Sequence, residues 1–247
     1  MKRSRKLFRL LFKVNLIKTV WFNWKMLPAR QAWRLPVWFF GKTTFRGLTG
    51  KVIIESRIHC GMIRVGENAW YVETTVPWTI WNIRGTMVFK GPLEFCMGSY
   101  VLVSDQAVLT LGKNRTGFGS NIRLFCFDRI TIGDSSRFAW DCLISDTSFH
   151  YIEKIESRAK APLTKPVIIG DRVSVFNRSS ILKGAVLPDD TIVVSNSIVN
   201  KDFSEIGPYC MLAGAPAVVK ATGVRRIWDL KEERELDRQF GYHRTHL

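Results

Sequence analysis

The chain of 247 residues is 46% hydrophobic and 23% charged and has no low-complexity tract, so it can bury a sizeable core in one or two domains. Its net charge of +16 sits at the front: residues 1–64 hold 15 Lys or Arg against the single acid Glu55, residues 65–220 hold 16 against 15, and residues 221–247 hold 6 against 5. A basic terminal segment on a near-neutral body attracts anionic surfaces, membrane or nucleic acid, whatever the body does. Five scattered cysteines, Cys60, Cys96, Cys126, Cys142 and Cys210, lack the paired spacing of disulfide or metal frameworks and read as small buried hydrophobes in a reducing cytoplasm.

Residues 1–50 form a basic, aromatic arm. Over residues 1–27, Leu7, Leu10, Val14, Ile17, Trp21 and Trp24 recur at helical spacing, which predicts an amphipathic helix stopped by Pro28. Lys13, Lys18 and Lys25 interrupt the apolar run short of the roughly 18 residues a bilayer span requires. No small-residue cleavage site succeeds it to mark a secretory signal. A second basic stretch carries Trp33, Trp38, Phe39 and Phe40. Tryptophans beside cations suit a membrane interface, so residues 1–42 are expected either to contact a membrane surface peripherally or to pack as a cap on the strands beyond them.

From Lys51 short strands begin, and the aliphatic–glycine steps Val65-Gly66, Leu111-Gly112, Ile132-Gly133 and Ile169-Gly170 read as openings of successive coils. Leu111 to Ile132 spans 21 residues, three more than a coil of about 18, which predicts a small insertion there. Residues 145–166 break the pattern completely; polar and charged, they are expected to project as a loop. From Val167 the chain counts in sixes. Aliphatic Ile169, Val175, Ile181, Leu187, Val193 and Val199 keep one phase, and small Ser179, Ala185, Thr191 and Ser197 come four residues behind. A period of six is neither the 3.6 of a helix nor the 2 of a strand. It fits short flat strands joined by sharp corners into a triangular prism, an all-β solenoid over residues 51–205. Residues 206–247 then supply an exit loop through Gly207-Pro208 and a charge-rich helix from Val224 to Phe240.

The phrases VIIGD (Val167 to Asp171), ILKGAVLPDD (Ile181 to Asp190), SNSIVNKD (Ser195 to Asp202) and AGAPAVVK (Ala213 to Lys220) resemble the closing coils and exit loop of the hexapeptide-repeat acyltransferases. That resemblance implies a left-handed parallel β-helix that assembles as a homotrimer. AWDCLISDTSFH (Ala139 to His150) is similar to the segment of the family's sugar O-acetyltransferases in which a tryptophan and two acids lead to a catalytic histidine. His150 is therefore the candidate general base and Asp146 the candidate group that orients it; a backbone carbonyl is the alternative orienter. Trp140 and Asp141 are candidates for touching the acceptor. The resemblance further implies acetyl-CoA in a groove between prisms, with Asn177 and Ser195 along its pantetheine arm and Lys201, Lys220 and Arg225 near its phosphates. His59, His243 and His246 lie away from this segment, which argues against a metal site.

One departure stands out: the family commonly has Trp-Ile-Gly after GD-x-V, and this chain has Ser174, Val175 and Phe176. The leading expectation is a cytoplasmic enzyme, held peripherally at the inner face of the membrane if the arm binds lipid, that moves acetyl from acetyl-CoA to a hydroxyl of a sugar or glycan precursor. A non-catalytic trimeric scaffold at a membrane surface is the alternative, and nucleic-acid binding ranks third.

Overall fold

The computed structural model describes residues 13–68, 78–114 and 116–242. The first part of the expected N-terminal helix, together with His243 and His246, lies outside them. The described chain winds as a three-sided parallel β-helix whose faces are sheets of nine, seven and six strands. Each coil contributes one short strand to each face, and each strand pairs in parallel with the strand one coil above and below.

The count of six is explained by what fills the prism. Phe118, Phe138, Val175, Val193 and Leu212 stand in register on the first face. Leu124, Ile144, Ile181 and Val199 do so on the second, and Leu111, Ile132, Ile169 and Leu187 on the third. All are buried in one continuous core. Each such side chain contributes about 1.5–3 kcal/mol by leaving water. The small residues behind them fill the corners and tie backbone there: Ser179 and Ser197 both donate to the Val194 carbonyl, at 3.0 and 2.6 Å, and Thr191 donates to Pro188 at 2.7 Å.

Corners also explain the Ile-Gly-Asp phrases. Asp134, Asp171 and Asp189 occupy the same corner of successive coils, and each carboxylate accepts a backbone N–H from the coil before: Lys113 to Asp134 at 2.9 Å, Asp134 to Asp171 at 2.7 Å, Asp171 to Asp189 at 2.8 Å. A Cβ on Gly133 would stand 2.4 Å from the Asp171 carboxylate, so only glycine permits this close approach. Leu111-Gly112, Ile132-Gly133 and Ile169-Gly170 share this position at the end of the third face. Val65-Gly66 does not; it lies on the first face, in the strand Ile63–Glu67, at a register shift. The three extra residues before Ile132 do not project as an insertion. They are taken up within the coil, whose strands Arg123–Cys126 and Arg129–Ile132 are each four residues long.

The solenoid begins earlier than Lys51. Strands Val37–Phe39 and Lys42–Leu48 pair with the first and second faces, so much of the expected arm is the first coil. Aromatic side chains fill these early, wide coils: Phe95, Phe118 and Phe138 stack at 4.2 and 5.0 Å, and Trp81 lies 5.5 Å from Phe39 and 5.7 Å from Phe95. Helix α1 (Leu16–Met26) covers this end, with Phe22 packed on Phe39 at 4.8 Å and on Trp81 at 5.6 Å. It also satisfies the edge strand. Val37 N–H donates to Asn23 Oδ1 and Phe39 N–H to Thr19 Oγ1, while Asn23 Nδ2 donates to the Val37 carbonyl.

At the other end the expected exit loop is an antiparallel hairpin, Cys210–Gly214 with Ala217–Thr222, that extends the first face. The last helix, α2, is shorter than expected, Leu230–Gln239, and is capped by Asp229, whose side chain accepts from Lys231 N–H at 2.7 Å.

Candidate active site

The interruption expected at residues 145–166 is a built structure. It leaves the second face after Leu143–Ser145 and returns to the third face at Val167–Ile169. Its neck is zipped shut: Lys165 N–H donates to the Asp146 carbonyl, Thr147 bridges Thr164, and Ser148 N–H donates to Leu163. Its tip is a small hairpin, Ile152–Glu153 with Lys160–Ala161, closed by an Arg158–Glu153 ion pair at 3.3 Å.

His150 is exposed just beyond the neck. Two neighbours fix the backbone beside it. Phe149, in the left-handed region at φ 60°, packs edge-on against Phe125 at 5.9 Å and Phe127 at 5.3 Å on the outside of the second face. Ser148 Oγ lies 3.0 Å from the His150 carbonyl and 3.0 Å from Lys183 Nζ, and that ammonium also donates to the Pro162 carbonyl at 2.8 Å. Lys183 comes from the next coil and spans the neck. Nothing in the sequence distinguishes it from a solvated lysine at a hexad corner, and Phe149 is legible only as part of the loop.

Asp146 has a different task from the one expected. It is fully buried, and its two oxygens accept from Phe127 N–H and Asp128 N–H, both at 2.8 Å. Burial pushes its pKa up, against those backbone donors that pull it down. The carboxylate thus ties the root of the loop to the preceding coil, each oxygen accepting a backbone N–H there.

The other candidates fall at a different corner. Asp141, at φ 60°, lies between the first and second faces and accepts from Asn121 Nδ2 at 3.0 Å, whereas His150 rises between the second and third. Trp140 is half-buried beside Asp141. Asn177 and Ser195 are brought together on adjacent coils at the Asp141 corner, with Ser195 Oγ donating to Asn177 Oδ1 at 2.7 Å. Lys201 lies over the Phe203 ring at 5.1 Å, and Lys220 and Arg225 are exposed beyond the last coil. Ser174 is buried between Arg137 and Ile192 with its hydroxyl unpartnered, and Phe176 is 41% exposed.

The cysteines divide. Cys126, Cys142 and Cys210 are buried and Cys96 half-buried, as small hydrophobes should be, but Cys60 is exposed. Burial raises the Cys96 thiol to about 12 and the Cys142 thiol to about 11, which makes both poor nucleophiles. No cluster of three or more His, Cys, Asp or Glu placed to hold a metal ion occurs among the described residues.

The three-sided parallel coils match the left-handed β-helix fold of solved acetyltransferase structures. No protein-family model matches the sequence. Among solved structures, the chain is similar to the polySia-specific acetyltransferase NeuO, with a TM-score of 0.58 and 20% identity over 85% of this chain and 91% of that one. It is also similar to the polysialic acid O-acetyltransferase OatWY, at a TM-score of 0.42 and 19% identity over 82% and 97% of the two chains. A hexapeptide-repeat-containing acetyltransferase from Vibrio cholerae, complexed with acetyl coenzyme A, matches at a TM-score of 0.33 and 15% identity over 83% of each chain. At 20% identity the likeness to the first of these is one of fold.

Proposed function

We propose that the protein is an O-acetyltransferase that moves an acetyl group from acetyl-CoA to a hydroxyl of a sugar or glycan precursor, with His150 as general base. The carrying observation is His150, exposed on a zipped loop root whose backbone is braced, on a fold shared with a polysialic-acid acetyltransferase. An alcohol is too weak an acid to attack a thioester at neutral pH. The neutral imidazole takes the hydroxyl proton as its oxygen bonds to the acetyl carbonyl, and collapse of the tetrahedral intermediate expels the CoA sulfur, which leaves with a proton. Transfer is read as direct, because no cysteine lies beside His150 in the chain, and burial keeps Cys96, Cys126 and Cys142 protonated and unreactive.

Asp146 serves as a positioning residue that fixes the loop root. Asn177 and Ser195 line the pantetheine groove of a homotrimer, and Lys201, Lys220 and Arg225 meet the phosphates. Because Trp140 and Asp141 stand at another corner of the same prism, they would join His150 at the acceptor only across a subunit boundary. Purified protein should release CoA from acetyl-CoA when given a glycan acceptor, and His150→Ala should lower the rate by about a hundredfold or more. Unchanged turnover by a folded His150→Ala protein would refute the assignment.

The Ser174 and Phe176 substitutions favour one second reading, a non-catalytic trimeric scaffold. Isothermal calorimetry separates the two, since a scaffold takes up no heat with acetyl-CoA.

A further inference from the structure

Helix α1 has two faces: the fold buries one, and of the other Trp21, at its border, packs on the solenoid, 5.4 Å from Phe45. Thr19, Phe22, Asn23 and Met26 are buried against the first coil, and the hydrogen bonds of Thr19 and Asn23 to the edge strand lock the rotation of the helix. The opposite face is left outside. Ile17 is 84% exposed, Leu16 58%, Trp21 50%, Trp24 44% and Val20 43%, and Trp33, 75% exposed, extends the patch by an edge-on contact with Trp24 at 5.1 Å. A patch of this kind on a locked helix is not an accident of orientation.

The stretch of chain that bears it carries one sign of charge. From Met1 to Ile54 the chain has 13 Lys or Arg and no acid; Lys25 borders the patch, and Arg30 and Arg34 are exposed on the short segment that carries Trp33. A second copy of the chain would bring the same cations and be repelled. Nucleic acid would answer the charge and leave the aliphatic side chains without a partner. An anionic bilayer surface answers both. No helix among the described residues is long and apolar enough to cross a membrane, and a helix of 11 residues, about 16 Å long, suits the interfacial plane.

We infer that the outer face of α1, with Trp33, docks the protein on anionic lipid, the indoles at headgroup depth and the lysines and arginines against the lipid phosphates. This inference stands apart from the catalytic reading. The test is flotation of the full chain with vesicles of phosphatidylcholine alone and of phosphatidylcholine mixed with phosphatidylglycerol, at low and raised salt. The wild type should float with the anionic vesicles only, and less at raised salt. Ile17→Ser/Trp33→Ser, which alters two exposed side chains, should reduce the bound fraction about tenfold with an unchanged melting temperature. Several outcomes would overturn the inference. Either the wild type fails to float, or the double variant floats as well as the wild type. Equal retention of a DNA duplex and vesicles by the variant would reduce the effect to charge alone, and light scattering showing that the variant splits a larger assembly would make the patch a self-contact.

Discussion

At the scale of single residues, position and chemistry separate. A phrase of residues puts His150 forward, but the contacts around it cannot be read from that phrase. Asp146 reads in sequence as the obvious partner of a nearby histidine, and only the coil geometry reveals that the preceding turn claims both its oxygens. Its burial has a measurable consequence. Because its folded pKa lies above the usual value of 3.8, the folded state takes up this proton before the unfolded state does. That contribution to stability is complete below 3.8 and is lost as pH rises through the folded value. Asp146→Asn should cost about 1–3 kcal/mol at neutral pH, since its amide turns one donor toward a backbone N–H. The gap between wild type and variant in chemical denaturation should widen on going from pH 7 toward pH 4; a gap that narrows would contradict the assignment. The cysteines give a second test. A thiol reagent added to native protein at mildly alkaline pH should modify Cys60 rapidly and the buried thiols only on unfolding, as peptide mass mapping would register.

At the scale of elements, the sixes announce the later coils because there each face uses one inward aliphatic residue and one small corner residue. The earlier coils hide themselves for a physical reason. Phe39, Trp81, Phe95 and Phe118 fill a wider prism, their strands are longer, and bulges shift the register, so no fixed period survives. The first coil hides inside the basic arm for the same cause, since Val37–Phe39 is as aromatic as an interfacial segment while being buried. The Gly–Asp corner is the element most exposed to test. Gly133→Ala would drive a methyl against the Asp171 carboxylate and the Gly170 backbone, at 2.4 and 2.5 Å, and should cost about 1–3 kcal/mol in thermal or urea unfolding. A cost near zero would mean that successive coils are free to separate there.

At the scale of the molecule, a stack of coils has two ends, and its stability depends on how each is closed. Helix α1 closes one by inserting Phe22 among the aromatic rings and by hydrogen-bonding the first edge strand. Phe22→Ala should therefore cost about 3–5 kcal/mol, with the first coil gaining hydrogen exchange ahead of the rest; uniform loss of protection along the stack would argue against an end cap. The loop near His150 carries a different implication. Its neck is paired residue by residue, so the prism registers only the pair where the chain departs and returns, and a longer tip adds little more than the slow logarithmic cost of closing a larger ring. His150 follows the neck directly, its carbonyl 3.0 Å from Ser148 Oγ, and the Lys183 brace spans the neck, whereas Ile155 and its neighbours belong to the tip. A lineage or an engineer can therefore lengthen, shorten or exchange the hairpin, and with it whatever the hairpin touches, while His150 keeps its place beside the neck.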